Sequence, residues 1–435
     1  MNRTRFLLPA ALALGACFVP SASIEPTSSS STGGASSGGA GGAGGADPNA
    51  WTPSVKGPIS FGASDPPRPA IAPTGNPMQR HLVHASGRWY AFYLLGQRLF
   101  ASYFDEFDTW RPTGDGISLH ANYPFDDGRV FGVALNPSDA GEVHFTADWP
   151  SGGLHVTGRA PASETPATPF VFGASVSRGV PSGVAVDGAV TALGPGGTIY
   201  DFGSFLVNGQ ACTSCVARFT PMTGWTTKPL DFGMKMAGQL PRGALSLDNT
   251  PVVAWPLVGG LAQAHITDGA ESWSGAEIPS TTQVKPVDRM WAMCTKQVGG
   301  SMTHDAHALV HDGAKFAHYF TNSGSWSVFP GGELLSPPNT TKLHELFLAC
   351  NADYLYAFSV DDSNAVVGAR YIVSEQVWSS WTVLVPGASA QGQRCFLSGA
   401  EQVTPGEVGL IWSDAAAGCD AKGLNTYYAL FVRIG

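Results

Sequence analysis

The chain has 435 residues, of which 54 are Gly and 32 Pro, while only 13% are charged. This makeup disfavours helical bundles, which are rich in Ala, Glu, Lys and Leu, and suits many short strands joined by turns. The formal net charge of −9 is spread along the chain with no basic stripe, which argues against a nucleic-acid partner and implies an acidic surface.

At the N-terminus, Arg3 and Arg5 precede an apolar run from Phe6 to Leu14, and the small residues Gly15 and Ala16 stand before Cys17. Residues 1–17 therefore read as a secretory signal peptide. Leu14-Gly15-Ala16-Cys17 resembles the lipobox of bacterial lipoproteins. That resemblance implies cleavage before Cys17 and lipidation of its side chain. Phe18 is not the aspartate that marks inner-membrane retention, so the resemblance points to the outer membrane, on its periplasmic side or at the cell surface. Acyl chains supply about 0.8 kcal/mol per buried CH₂, so multiple acylation makes such an anchor stable. Residues 18–50, Ser-rich and then built on Gly-Gly-Ala, have too little apolar surface to offset the entropy of ordering. They are expected to form a flexible tether with a root-mean-square reach of about 30 Å.

Residues 51–435 carry an internal repeat. Trp51-Thr-Pro-Ser-Val-Lys-Gly-Pro-Ile-Ser-Phe61 shares its layout with Trp110-Arg-Pro-Thr-Gly-Asp-Gly-Ile-Ser-Leu119, and weaker echoes begin at Trp225, Trp273, Trp326 and Trp381. The interval from Trp110 to Trp225 is about twice the others, and Phe170 near its midpoint takes the tryptophan's place in a degenerate copy. A period near 50 residues signals a propeller or an array. Before each tryptophan runs an alternating segment with a fixed alanine: Leu99–Phe104, Cys215–Phe219, Leu261–Ile266, Phe316–Phe320, Gly368–Ile372 and Tyr428–Phe431. Such alternation predicts half-buried strands. Further apolar runs precede these, among them Trp89–Tyr93, Val252–Trp255, Leu346–Ala349, Leu355–Phe358 and Val408–Trp412. Four strands per copy and seven copies predict an all-β, seven-bladed β-propeller. The last copy ends after its third strand, and Trp51 to Phe61 is a fourth strand without a first three. Pairing the two is expected to close the last blade and to remove two open sheet edges.

Asp105 precedes Trp110 by five positions, and Asp268 stands at the same distance from Trp273. These turns resemble the Asp-box of sialidases and related propellers, in which the carboxylate accepts turn N–H groups and the ring packs between strands. The resemblance implies a structural role for both residues. It does not extend to sialidase chemistry: the only Arg-Ile is Arg433-Ile434, followed by Gly435, and the arginines are scattered. His307 and His311 share a strand face near His318, which is ligand-type chemistry, but the fixed zinc spacings are absent. These histidines are expected to be hydrogen-bonded sheet residues, with no metal. Apart from Cys17 there are six cysteines, an even number suited to disulfides in an oxidising compartment. Cys212 and Cys215 are expected to staple a hairpin, Cys395 and Cys419 to pair within one copy, and Cys294 and Cys350, in equivalent positions of neighbouring copies, to pair with each other. No phosphate-binding loop, dinucleotide fingerprint or nucleophile elbow occurs, and no cofactor is expected.

No constellation of residues specifies a reaction. The anchor, tether and repeat together favour a membrane-held surface module that binds a ligand, a glycan or a protein. Exposed aromatic residues on its loops would make it similar to seven-bladed bacterial and fungal lectins. The alternative is a sialidase-like or glycosidase-like hydrolase acting in a central pocket.

Overall fold

The computed structural model describes residues 50–63, 81–95, 98–118, 131–136, 139–149, 152–165, 167–179, 190–194, 197–207, 210–220, 222–229, 243–247, 250–257, 260–265, 276–277, 291–295, 306–311, 315–322, 325–328, 333–337, 345–351, 353–400, 406–419 and 423–434. All lie in one compact unit, Asp47–Gly435. The signal peptide with Cys17 and the tether as far as residue 49 lie outside the described residues, as do Asp268 and Trp273.

The described residues are almost entirely strand. β1 is Ser54–Ala63, and the first sheet is β2 (Leu82–Ala85), β3 (Arg88–Leu95), β4 (Arg98–Phe104) and β5 (Trp110–Ser118). The second is β6 (Phe131–Leu135), β7 (Glu142–Trp149), β8 (Gly152–Arg159) and β9 (Val171–Gly179). The third is β10 (Val190–Gly194), β11 (Thr198–Val207), β12 (Gln210–Thr220) and β13 (Gly224–Pro229). The fourth is β14 (Gly243–Leu247), β15 (Thr250–Leu257), β16 (Gly260–His265) and β17 (Ala276–Glu277). The fifth holds β18 (Trp291–Thr295), β19 (Ala306–His311), β20 (Lys315–Asn322), β21 (Ser325–Val328) and β22 (Leu334–Leu335). The sixth holds β23 (Leu346–Cys350), β24 (Tyr354–Val360), β25 (Val366–Ile372), β26 (Val377–Trp378) and β27 (Thr382–Val385). In both of these the outermost strand is split in two, each piece pairing with the third strand. The last sheet runs β1-β30-β29-β28, with β28 (Gln393–Gly399), β29 (Glu407–Ala415) and β30 (Asn425–Arg433). Every pairing is antiparallel, and β1 joins β30 from Ser54↔Arg433 to Ala63↔Thr426.

Successive sheets pack through their first strands: β6 on β10, β10 on β14, β14 on β18, β18 on β23, β23 on β28, and β28 on β2. An inner sheet is therefore covered on both faces, and the expected half-burial fails there. All of Leu346–Cys350 is buried, and along Glu407–Ala415 only Glu407 keeps partial exposure. Alternation survives as a choice between two dry interfaces. Of the fixed alanines, Ala101, Ala217, Ala369 and Ala429 are fully buried and Ala317 is half-buried. A strand buried on both faces reads as a continuous apolar run.

The repeated aromatic residue is a wedge between sheets, set each time against the sheet before its own. Trp110 of β5 lies 6.2 Å from Phe431 of β30, and Trp225 of β13 lies 6.3 Å from His155 of β8. Phe170, just ahead of β9, sits 5.5 Å from Tyr90 and 5.3 Å from Phe92 of β3. Trp51, just ahead of β1, sits 5.5 Å from Tyr356 and 6.2 Å from Phe358 of β24. One assignment needs correction. In the sixth sheet Trp378, not Trp381, stands opposite the last aromatic residue of the third strand, Tyr371, as Trp225 stands opposite Phe219 and Trp110 opposite Phe104. The splitting of the outer strand displaced the spacing count by three residues. Trp381 still faces the fifth sheet, donating from Nε1 to the Leu335 carbonyl at 2.6 Å.

Cys294–Cys350 joins the first strands of the fifth and sixth sheets, and Cys395–Cys419 ties β28 to the turn before β30. Cys212 and Cys215 occupy a single strand rather than the two arms of a hairpin, opposite Phe205 and Gly203 across a one-residue irregularity. Their side chains lie outside the described part of the structure.

Candidate functional site

The histidines expected as sheet residues form pairs. His307 Nδ1 and His318 Nε2 are 2.9 Å apart, with both rings buried; the side chain of His311 lies outside the described part. The second sheet repeats the device: His144 Nδ1 and His155 Nε2 are 3.0 Å apart. His144 Nε2 faces Glu142 Oε1 at 2.7 Å, so it donates there, and its Nδ1 accepts from His155. That proton order makes both rings neutral. The second ring of each pair meets the wedge of the next sheet edge-on, His155 against Trp225 and His318 against Trp378 at 5.9 Å. Among the described residues no three His, Cys, Asp or Glu side chains are grouped to hold a metal ion.

Burial, reinforced by the neighbouring His144, pushes His155 down to about 3, and burial also lowers His144. Between the ordinary value near 6.5 and about 3, the unfolded chain binds a proton that the folded chain refuses. Stability is then whole above pH 6.5 and falls as the pH drops, by up to about 1.4 kcal/mol per pH unit for one such proton. The urea midpoint is expected to fall steadily from pH 7 to pH 4.5, and His155→Gln to flatten that slope. Parallel profiles for the two proteins would contradict the assignment.

Two clefts flank the connection between β8 and β9, residues 160–170. This connection is longer than the turn 105–109 at the same place in the first sheet, and it reaches across to that sheet. Its anchor is the buried Glu164. Tyr90 donates to Oε2 at 2.6 Å, while the Thr113 hydroxyl and the Phe170 N–H, at 3.0 Å, donate to Oε1. Burial and this hydrogen bond raise the Tyr90 phenol well above its usual range, so it stays a donor. Thr165 and Thr168 close the tip of the connection with paired backbone bonds of 3.3 and 3.0 Å.

The larger cleft, about 800 Å³, lies between β5 and the start of β9. Its wall is an irregular stretch of β5. Leu99 pairs with Ile117 but Ala101 with Thr113, so Gly114-Asp115-Gly116 bulges out of the ladder. Gly114 and Gly116 have φ of 66° and 65°, a conformation that favours glycine, and a side chain at Gly114 would meet the Phe170 carbonyl at 2.6 Å. Arg98 braces the bulge from below, donating to the carbonyls of Asp115 at 2.8 Å and Gly116 at 2.6 Å. Bulges of this kind re-aim side chains beside binding sites. Here the exposed residue is Asp115. The half-buried rings of Tyr103 and Phe172 and the exposed Arg111 line the same cleft.

Asp105 plays the structural part its turn implied. Oδ1 accepts the N–H groups of Phe107 at 3.0 Å and Thr109 at 2.8 Å, and Oδ2 pairs with Arg111. Burial opposes its charge, but the Arg111 guanidinium and the two N–H groups prevail and hold its carboxyl below the usual carboxylate range. The side chain of Arg111 is 53% exposed, so Asp105 fixes its orientation without hiding it. The smaller cleft, about 700 Å³, lies on the other side of the connection, with Ser86, Asp139, Arg159 and Ala162 in its walls. The sequence reading took Gly114-Asp115-Gly116 only as part of the layout shared with Trp51 to Phe61 and did not mark the larger cleft.

Several described arginines, the residue type a sialidase-like site would need, have partners of their own. Arg88 faces Glu106, Arg159 faces Asp139, Arg370 lies over the Tyr354 ring, Arg394 faces Asp414, and Arg433 faces Glu407.

No family model matches the chain, and no curated protein matches it. Among solved structures it is similar to the BP39L lectin from Burkholderia pseudomallei, at 14% identity over 85% of this chain and 98% of that one, with a TM-score of 0.49. It is similar to the polysaccharide lyase Uly1 at 10% identity, over 84% of this chain and 90% of that one, with a TM-score of 0.48. It is also similar to the SapL1 lectin, solved in complex with alpha methyl fucoside, at 11% identity over 73% of this chain and 98% of that one, with a TM-score of 0.44.

Proposed function

We propose that the chain is a seven-bladed β-propeller that binds carbohydrate in the cleft between β5 and β9, held at the outer membrane through a lipid on Cys17. The observation that carries the binding reading is the wall of that cleft. A bulge with two left-handed glycines puts Asp115 in one cleft lining with two half-buried aromatic rings and an oriented guanidinium. Sugars offer hydroxyls on their edges and weakly polar C–H faces. Carboxylate and guanidinium groups bond the first, and aromatic rings cover the second. A cleft of about 800 Å³ lies within the roughly 300–1,000 Å³ usual for small-molecule sites. The ring reading is supported by the succession of sheet contacts, by the pairing of β1 with β30, and by the wedges Trp51 and Trp110 on either side of that junction. The anchor reading rests on the lipobox resemblance at Leu14–Cys17 alone.

A glycan array probed with a soluble C17S chain tests the binding. Capture of sugars is expected, with D115A and R111A each weakening it about tenfold, or about 1.4 kcal/mol. A blank array sinks the reading, and capture indifferent to both substitutions moves the site elsewhere. The same C17S substitution is expected to shift the chain from the membrane fraction to the soluble fraction; a wild-type chain already soluble would refute the anchor.

A further inference from the structure

The two clefts are neighbours. Pro169 and Val171 belong to the walls of both, at the end of the connection that lies between about 800 Å³ and about 700 Å³. Val171 is 58% exposed there. Each cleft alone is the size of one small-molecule site. Two such sites with wall residues in common form a track rather than a pocket.

The floor of the track is rigid on both sides. Glu164 fastens the connection to the first sheet, as described above. On the other side, Ala160 N–H donates to the Gly141 carbonyl at 2.7 Å, and the Ser86 hydroxyl donates to the Ala160 carbonyl at 3.2 Å. Neither cleft therefore depends on closure of the connection over a ligand.

The charges lining the track restrict what lies in it. Its two arginines are already matched with carboxylates. Arg111 pairs with Asp105, and Arg159 stands 2.8 Å from Asp139 and 3.9 Å from Glu142. Asp115 and Glu164 add negative charge to the larger cleft. A uronic or sialic carboxylate entering here would meet Asp115 and Asp139 beside arginines whose charge carboxylates already balance, and like charges set together are repelled.

We infer that the protein binds an extended, uncharged glycan, with consecutive sugar units in the two clefts and the chain crossing at Pro169 and Val171. This rests on the carbohydrate reading proposed above and names the ligand class of the same site. Filling two joined subsites with one chain makes the second contact intramolecular, so affinity rises with chain length until both are occupied.

The test uses the soluble C17S chain and fluorescently labelled mono- to hexasaccharides of glucose, mannose, galactose and xylose, with oligogalacturonates of matching length. For at least one neutral series, the tetrasaccharide is expected to bind at least tenfold more tightly than the monosaccharide. The oligogalacturonates are expected to bind at least tenfold more weakly than that series. Ala162→Trp, which narrows the second cleft from an exposed position, is expected to erase the gain with length. Equal affinity for mono- and hexasaccharides, or an unchanged length gain in A162W, overturns the track while leaving a single sugar site. Preference for oligogalacturonate overturns the uncharged ligand. Failure of every saccharide to bind removes the carbohydrate reading itself.

Discussion

Trp51→Ala is expected to lower the folding stability by about 3–5 kcal/mol, the range for truncating a large aromatic residue in a packed core. Position in the chain suggests otherwise, since Trp51 stands only a few residues beyond the sequence expected to be a loose tether. Its surroundings decide the matter. The indole is 3% exposed and packs on Tyr356 and Phe358, in a cluster with Leu384, Trp412 and Leu430. Gly368 lies beneath it so closely that an added Cβ would meet the ring at 2.9 Å. The Thr382 hydroxyl donates to the Trp51 carbonyl at 2.6 Å, so the backbone is fastened too. Loss of the ring would leave a cavity between the sixth and last sheets, at the point where the N-terminal strand meets them. Urea denaturation measures the effect, with Trp381→Ala as a comparison: Trp381 is only partly buried and is expected to cost less. A W51A chain within 1 kcal/mol of wild type would mean that the segment before β1 does not help to hold the sheets together.

Much of this packing was legible in the residues, because the repeat writes the same contact many times. The fixed alanine and the aromatic residue after it mark the third strand and the wedge of each copy. Phe170, reached only by halving an interval, fills the tryptophan's place against Tyr90 and Phe92. Trp381 was misplaced because a period counts residues, whereas the sheet counts registers. The chain leaves the ladder between β26 and β27, so the position opposite Tyr371 falls to Trp378. The histidine pairs were half legible. His307 and His318 stood out as ligand-type residues, but their mutual bond follows from a diagonal placement on β19 and β20 that only register supplies. His144 and His155, which form the same pair on β7 and β8, carried no sequence flag.

The cleft was the least legible part, because its meaning depends on contacts between sheets. Glu164 carried no sequence signal. Its partners Tyr90 and Thr113 belong to the preceding sheet, and no local pattern ties them together. Gly114-Asp115-Gly116 was read only as part of the layout shared with Trp51 to Phe61, and β1 has its own irregularity between Lys56 and Ile59, so the residues alone did not single out this bulge. The bulge costs two ladder positions in β5 and places an acid where the ladder alone would not.

Arg394→Ala is expected to be as damaging as loss of Trp51, by about 3–5 kcal/mol, through a different mechanism. Arg394 is among the largest fully buried side chains, and it joins the last sheet to loops of the sixth. Nη1 donates to the carbonyls of Asn364 at 2.6 Å, Pro386 at 3.1 Å and Val385 at 3.2 Å, and Nη2 donates to the Ser389 hydroxyl at 2.8 Å. Burial works against the guanidinium's charge, and Asp414, 3.6 Å from Nε, supports it. Asp414 is itself bonded by Trp412 Nε1 at 3.0 Å and the Gln391 N–H at 2.9 Å. Truncation of the arginine would leave the Asp414 carboxylate buried without its cation and the Asn364 and Val385 carbonyls without this donor, a heavier penalty than the loss of the pair's own attraction. Arg394→Lys, a point charge without the planar fork, is expected to recover only part of the loss. In R394M/D414L neither charge remains to be stranded, so this double variant is expected to be more stable than R394A. A urea series on the wild type and these three variants separates the two costs. A double variant no better than R394A would show that the side chain matters here for its volume rather than for the charge it buries.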